Sequence, residues 1–104
     1  MGLEILVSIP GKHRQEFMQT FDIFSNKQES DQEFTGACID RSIFECIDTP
    51  DRFLWLEEWI DFQSLDHYMK TDRFKALLGA VQVLGELVEL RKFKVESLQN
   101  EAFL

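Results

Sequence analysis

His13 and His67 are the two histidines of this 104-residue sequence, the side chains whose ordinary pKa lies close to neutrality. His67 is followed directly by Tyr68 and comes shortly after Trp55 and Trp59. An imidazole there can take a proton from a substrate hydroxyl, and a neighbouring phenol can donate a hydrogen bond to the anion that results. Trp55 and Trp59 supply flat faces for a planar ring, and Phe17, Phe21 and Phe74 supply apolar walls. The chemistry on offer is proton transfer beside an apolar, aromatic surface. The plainer reading has His67 at the edge of a helical apolar stripe, capping a pocket rim, with the phenylalanines as core.

Other chemistries are poorly served. Glu57 and Glu58 are adjacent, so in a strand they point to opposite faces and cannot form a paired-carboxylate site. A buried carboxylate needs a partner, and Arg41, Arg73 or Arg91 can supply one, so structural ion pairing is expected. His13 reads as a near-exposed helix residue. Two histidines and no C-x-x-C motif give no support for a metal site. Cys38 and Cys46 lie in one expected strand, roughly 26 Å apart at about 3.3 Å per residue, too far for a disulfide within it. Packed thiols are expected. No phosphate-binding glycine loop, dinucleotide fingerprint or nucleophile elbow occurs, and no cofactor is called for.

Periodicity indicates how the chain would hold these residues. The central stretch is Phe53 to Ile60, an aromatic and aliphatic strand after a Pro50-Asp51 turn signal. Phe53, Trp55, Glu57 and Trp59 share one face, and Leu54, Leu56, Glu58 and Ile60 share the other, so both faces require cover. Leu3, Ile5, Val7 and Ile9 alternate as a first strand that Pro10-Gly11 stops. His13, Phe17, Phe21 and Phe24, with Met18 beside them, mark an amphipathic helix. A polar loop is expected over 26–33, then a strand over 34–47 with a bulge or close approach at Gly36. Asp61 is a candidate N-cap for a short helix carrying Phe62, Leu65, Tyr68 and Met69, and Thr71-Asp72 a break or recap. Phe74, Leu77, Leu78, Val81 and Leu84 mark another helix, which Gly85 ends. A last strand is expected over 86–96, with a bulge near Arg91-Lys92. The order is β-α-β-β-α-β with the second helix broken, the α+β ferredoxin-like arrangement of helices on one face of a four-stranded antiparallel sheet.

The length allows one domain, assigned to residues 1–97 with a short tail over 98–104. Net charge is −8 without a basic cluster, which argues against nucleic acid or an anionic membrane surface as partner. No signal-peptide pattern or apolar run of about 20 residues is present, so a cytoplasmic location is expected. With helices on one sheet face, a second copy of the chain is the expected cover for the other, making a homodimer.

Gly36-Ala37-Cys38-Ile39, Glu57-Glu58-Trp59, Leu65-Asp66-His67-Tyr68 and Thr71-Asp72-Arg73-Phe74 resemble the antibiotic biosynthesis monooxygenase family over about residues 3–95, nearly the whole chain. The resemblance implies a dimeric α+β barrel with a ligand pocket between each sheet and its own helices. Trp59 falls at the family's Glu-x-Trp tryptophan, and His67 at the helix histidine of quinol-monooxygenase-like members. Tyr68 falls where haem-degrading members carry a pocket tryptophan. Their iron-ligating histidine falls at Leu78, and their essential asparagine near Glu4, so the resemblance implies no haem. The activity implied is cofactor-independent oxygenation of a small planar aromatic or quinol-like molecule, with His67 and Tyr68 catalytic. Two alternatives stay open: a non-catalytic small-ligand-binding or regulatory dimer, and an isomerase of a small carbonyl metabolite.

Overall fold

A computed structural model describes residues 1–25 and 37–94. Four antiparallel strands form one sheet in the order β2-β3-β1-β4: β1 (Gly2–Ser8), β2 (Cys38–Glu45), β3 (Arg52–Trp59) and β4 (Glu86–Phe93). Helices α1 (Arg14–Ser25), α2 (Phe62–Met69) and α3 (Asp72–Leu84) connect them, giving the α+β ferredoxin-like fold. The two central strands are the two whose alternation is clearest in the sequence. Leu3, Ile5 and Val7 of β1 and Phe53, Trp55, Glu57 and Trp59 of β3 turn toward the helices and are all buried. Burying each large apolar side chain is worth roughly 1.5–3 kcal/mol, so this shared face supplies much of the drive to fold.

The helices meet that face with stripes at helical spacing. Phe17 and Phe24 of α1 are buried, and Phe21 and Met18 are partly so. Leu65 and Tyr68 of α2, then Phe74, Leu77, Val81 and Leu84 of α3, complete the layer. His13 is not part of the α1 stripe. It closes a 3-10 turn over Gly11–His13 ahead of the helix, and its Nδ1 lies 3.2 Å from Glu16.

Both expected caps form. Asp61 accepts from the Ser64 backbone N–H at 2.7 Å, which holds its carboxyl below the ordinary carboxylate range. Thr71 does two jobs at the α2–α3 junction. Its Oγ1 accepts from the Phe74 N–H at 3.2 Å and donates to the Tyr68 carbonyl at 2.6 Å. Gly85 does end α3, but for a different reason from a left-handed cap. Its backbone is extended, and a Cβ there would collide with the Ser8 carbonyl oxygen of β1.

Two bulges differ in position from expectation. In β2 the register shifts between Cys38 and Asp40, and Gly36 lies outside the described residues together with the start of the expected strand. In β4 the shift lies opposite Leu6 and Val7, at Val88, and not at Arg91-Lys92. An inserted residue reverses the facing of the residues after it. That is how Leu87 and Leu90, three apart, both align with the helix-side residues Val7 and Ile5. The expected tail over 98–104 also lies outside the described residues.

No helix among the described residues is long and apolar enough to cross a membrane. The Thr71→Ala variant, which loses a cap of the kind worth about 1 kcal/mol, should melt several degrees lower with an unchanged far-UV circular dichroism spectrum. An unchanged melting temperature would show that water replaces both hydroxyl contacts without loss.

Candidate functional site

On β3 the alternation that buries Trp55 and Trp59 also buries the carboxylate between them. Glu57 is fully inaccessible to solvent. Its Oε2 accepts from Trp55 Nε1 at 2.9 Å, and its Oε1 from Trp59 Nε1 at 2.9 Å. The third donor comes from the neighbouring strand. Arg41 is directly opposite Glu57 in the β2–β3 register, and its Nε donates to Oε2 at 2.8 Å. Three donors, one of them cationic, satisfy a charge that would otherwise be too costly to bury.

Arg41 is itself tied down. Its Nη1 donates to the Phe24 carbonyl at 2.6 Å, at the end of α1. A helix C-terminus has unsatisfied carbonyls and favours cations. Arg73 of α3 uses the same end, donating to the Ile23 carbonyl at 3.2 Å with its guanidinium 4.8 Å from the Phe24 ring centroid. Burial opposes the charge on Arg41 more than any one neighbour favours it, but the Glu57 carboxylate together with Tyr68 and Cys38 outweighs burial, and the guanidinium pKa lies above its ordinary value. Arg41 also lies over the Tyr68 ring, 5.7 Å from its centroid.

Around this pair the aromatic residues form one continuous layer. Tyr68 stacks at a tilt on Trp59 with centroids 4.8 Å apart and meets Phe74 edge-on at 5.3 Å. Phe17, Phe21 and Phe24 each meet Trp55 edge-on, Phe21 most closely at 4.9 Å. Of the residues singled out from the sequence, Trp55, Trp59, Tyr68, Phe17 and Phe74 are buried and Phe21 is half-buried. His67 is exposed in the last turn of α2. Successive helical positions are about 100° apart, so burying Tyr68 turns His67 outward. The structure therefore gathers the six aromatics and places His67 on the outer side of α2.

Sequence reasoning gave Arg41 as one of three candidate partners for a buried carboxylate, and strand register selects it. Arg91 instead pairs with Glu4 on the open sheet face. Cys38 joins the site unexpectedly. The β2 bulge places it opposite Trp59, half-buried and near the Arg41 guanidinium. Neither cysteine is in a disulfide. Leu78, partly buried, packs against the helix-side core, whereas Glu4 faces the other side of the sheet.

The architecture is that of proteins described as antibiotic biosynthesis monooxygenases. One such crystal structure superposes with a TM-score of 0.70 at 18% identity, covering 92% of this chain and 98% of that one. A candidate antibiotic biosynthesis monooxygenase from Deinococcus radiodurans gives 0.73 at 17% identity, over 93% and 94%. A Bacteroides thetaiotaomicron protein, described as of unknown function and a possible oxidoreductase, gives 0.68 at 26% identity, over 88% and 93%. No protein-family model and no curated protein matches this chain.

Removing Glu57 should be expensive. Glu57→Leu leaves Arg41 uncompensated and two indoles without an acceptor, and should lose about 3–5 kcal/mol in urea denaturation. Glu57→Gln, which keeps an acceptor oxygen, should lose less, and disrupting the exposed Arg14–Glu45 pair should change little. Equal effects of Glu57→Leu and Arg14→Ala would contradict this ordering.

Proposed function

We propose that this chain is an oxidoreductase of the antibiotic biosynthesis monooxygenase type, acting without a cofactor on a small planar aromatic or quinol-like molecule. The observation that carries the reading is the fold, shared over about nine-tenths of the chain with proteins so described and with one described as a possible oxidoreductase. In such a reaction a base removes a phenolic proton and the electron-rich anion reacts directly with dioxygen. Dioxygen adds to a ring carbon as a peroxide, the base returns its proton to it, and loss of water then breaks the O–O bond and that carbon's C–H bond, leaving one oxygen there as a carbonyl. His67 is the candidate base, and Tyr68 the hydrogen-bond donor to the anion. Trp59 and Trp55 stack on the ring, and Phe17, Phe21 and Phe74 back them. The active domain is assigned to residues 1–97, in the cytoplasm.

One observation favours a second reading, a non-catalytic dimer that binds a small ligand or regulates. Phe17 and Phe74 are packed to near-complete burial, and His67 faces outward, so the aromatic layer resembles a finished core. Oxygen uptake separates the two. A hydroquinone or an anthrone should consume oxygen with no added flavin or metal, and His67→Ala should lose about 10²–10⁴-fold in turnover. Unchanged turnover in folded His67→Ala would remove the base from the mechanism. No uptake across the panel would favour the second reading.

Both readings include a homodimer. On the face away from the helices, Leu6, Leu54 and Leu56 are half-buried and Phe44 is exposed, with Glu4, Glu89 and Arg91 lining the groove beside Leu6 and Leu54. Specific dimers of this kind typically bury more than about 1,200 Å² in total. Light scattering at micromolar concentration should give twice the chain mass, and Leu54→Asp should abolish it or cause aggregation. A monomer in the unmodified chain would refute this.

A further inference from the structure

We infer that Arg41 is a ligand-binding residue, offering the edge of its guanidinium to an oxygen atom of a planar ligand held beside the Tyr68–Trp59 pair. This rests on the small-molecule reading above and deepens it by naming the recognised atom. Arg41 presents five N–H donors in a rigid plane. Nε is used by Glu57 and Nη1 by the Phe24 carbonyl. Nη2 is buried and meets no acceptor among the described residues, and the side chain as a whole is only 9% exposed. Native proteins rarely leave a buried donor unmade, least of all on a charged group, because its lost hydration is not recovered.

The surroundings select the acceptor. Arg41 and Glu57 together are close to neutral, so the pair does not need a second full negative charge. A phenol or carbonyl oxygen, with partial negative charge and an attached flat ring, matches both the donor and its aromatic neighbours. The Tyr68 face lies 5.7 Å from the guanidinium carbon and Trp59 stacks behind it. The donor is also preorganised. Contacts to β3 and to the end of α1 fix the guanidinium plane before any ligand arrives, so little is spent in ordering it.

Calorimetry with 1-naphthol and with naphthalene, the same ring without the oxygen, tests this. The naphthol should bind at least about tenfold more tightly, the usual worth of a hydrogen bond to a charged donor. Arg41→Lys, which keeps a charge for Glu57 but loses the fork, should erase that difference. A second measurement avoids the variant. Alkylation of Cys38 by iodoacetamide in the unmodified chain should slow several-fold with 1-naphthol present, while Cys46, just beyond the far end of β2, serves as the unaffected control. Equal binding of the two probes, undiminished preference in folded Arg41→Lys, or no protection of Cys38 would each overturn the inference. Naphthol binding without oxygen uptake from any quinol would leave it standing and remove the monooxygenase reading. Uptake with an unchanged probe preference in Arg41→Lys would do the reverse.

Discussion

A carboxylate with no access to water, in the middle of the central strand, constrains most of this structure. Glu57 can be buried there because an arginine and two indole N–H groups converge on it. Each of those donors must then be held in place by something else. Trp55 is locked by the α1 phenylalanines and Trp59 by Tyr68, while Arg41 is held by the end of α1. The ion pair thus fixes the distance between β2, β3 and two helices. A buried pair of this kind is weak support for stability in itself but penalises every arrangement that separates its members. That is the sense in which it specifies the fold.

The end of α1 is where this constraint reaches furthest. Arg41 from β2 and Arg73 from α3 donate to consecutive carbonyls there, Phe24 and Ile23. The three elements are far apart in sequence, yet their meeting point is set by one helix terminus whose carbonyls and dipole both favour cations. The same guanidinium that closes the helix neutralises Glu57 and covers Tyr68. Structural and candidate functional roles therefore fall on one side chain, which explains why a plain core and a ligand site are hard to tell apart by residue type alone.

The two sheet faces divide the molecule's tasks. The helix side carries nearly all the large buried side chains and the Glu57–Arg41 pair. The other side carries leucines beside the Glu4–Arg91 pair, a mixed apolar and charged surface. Because strand side chains alternate, a single inserted residue moves a side chain from one task to the other. The β2 bulge does this for Cys38, which would otherwise share the face of Asp40 and Ser42.

Element order, the faces of β1 and β3, and both helix caps were legible in the sequence. These depend on short-range periodicity and local hydrogen bonding, which neighbouring residues settle among themselves. The sequence also required a partner for a carboxylate placed between two tryptophans on one strand face, and limited the choice to three arginines. Selecting Arg41 needed the assembled sheet, because it depends on which residue of β2 stands opposite Glu57, a register that runs unbroken from the turn between β2 and β3. The outward direction of His67 was decided the same way. Residues 67 and 68 look equally able to face a pocket, and burying the larger Tyr68 against Trp59 leaves its neighbour to solvent.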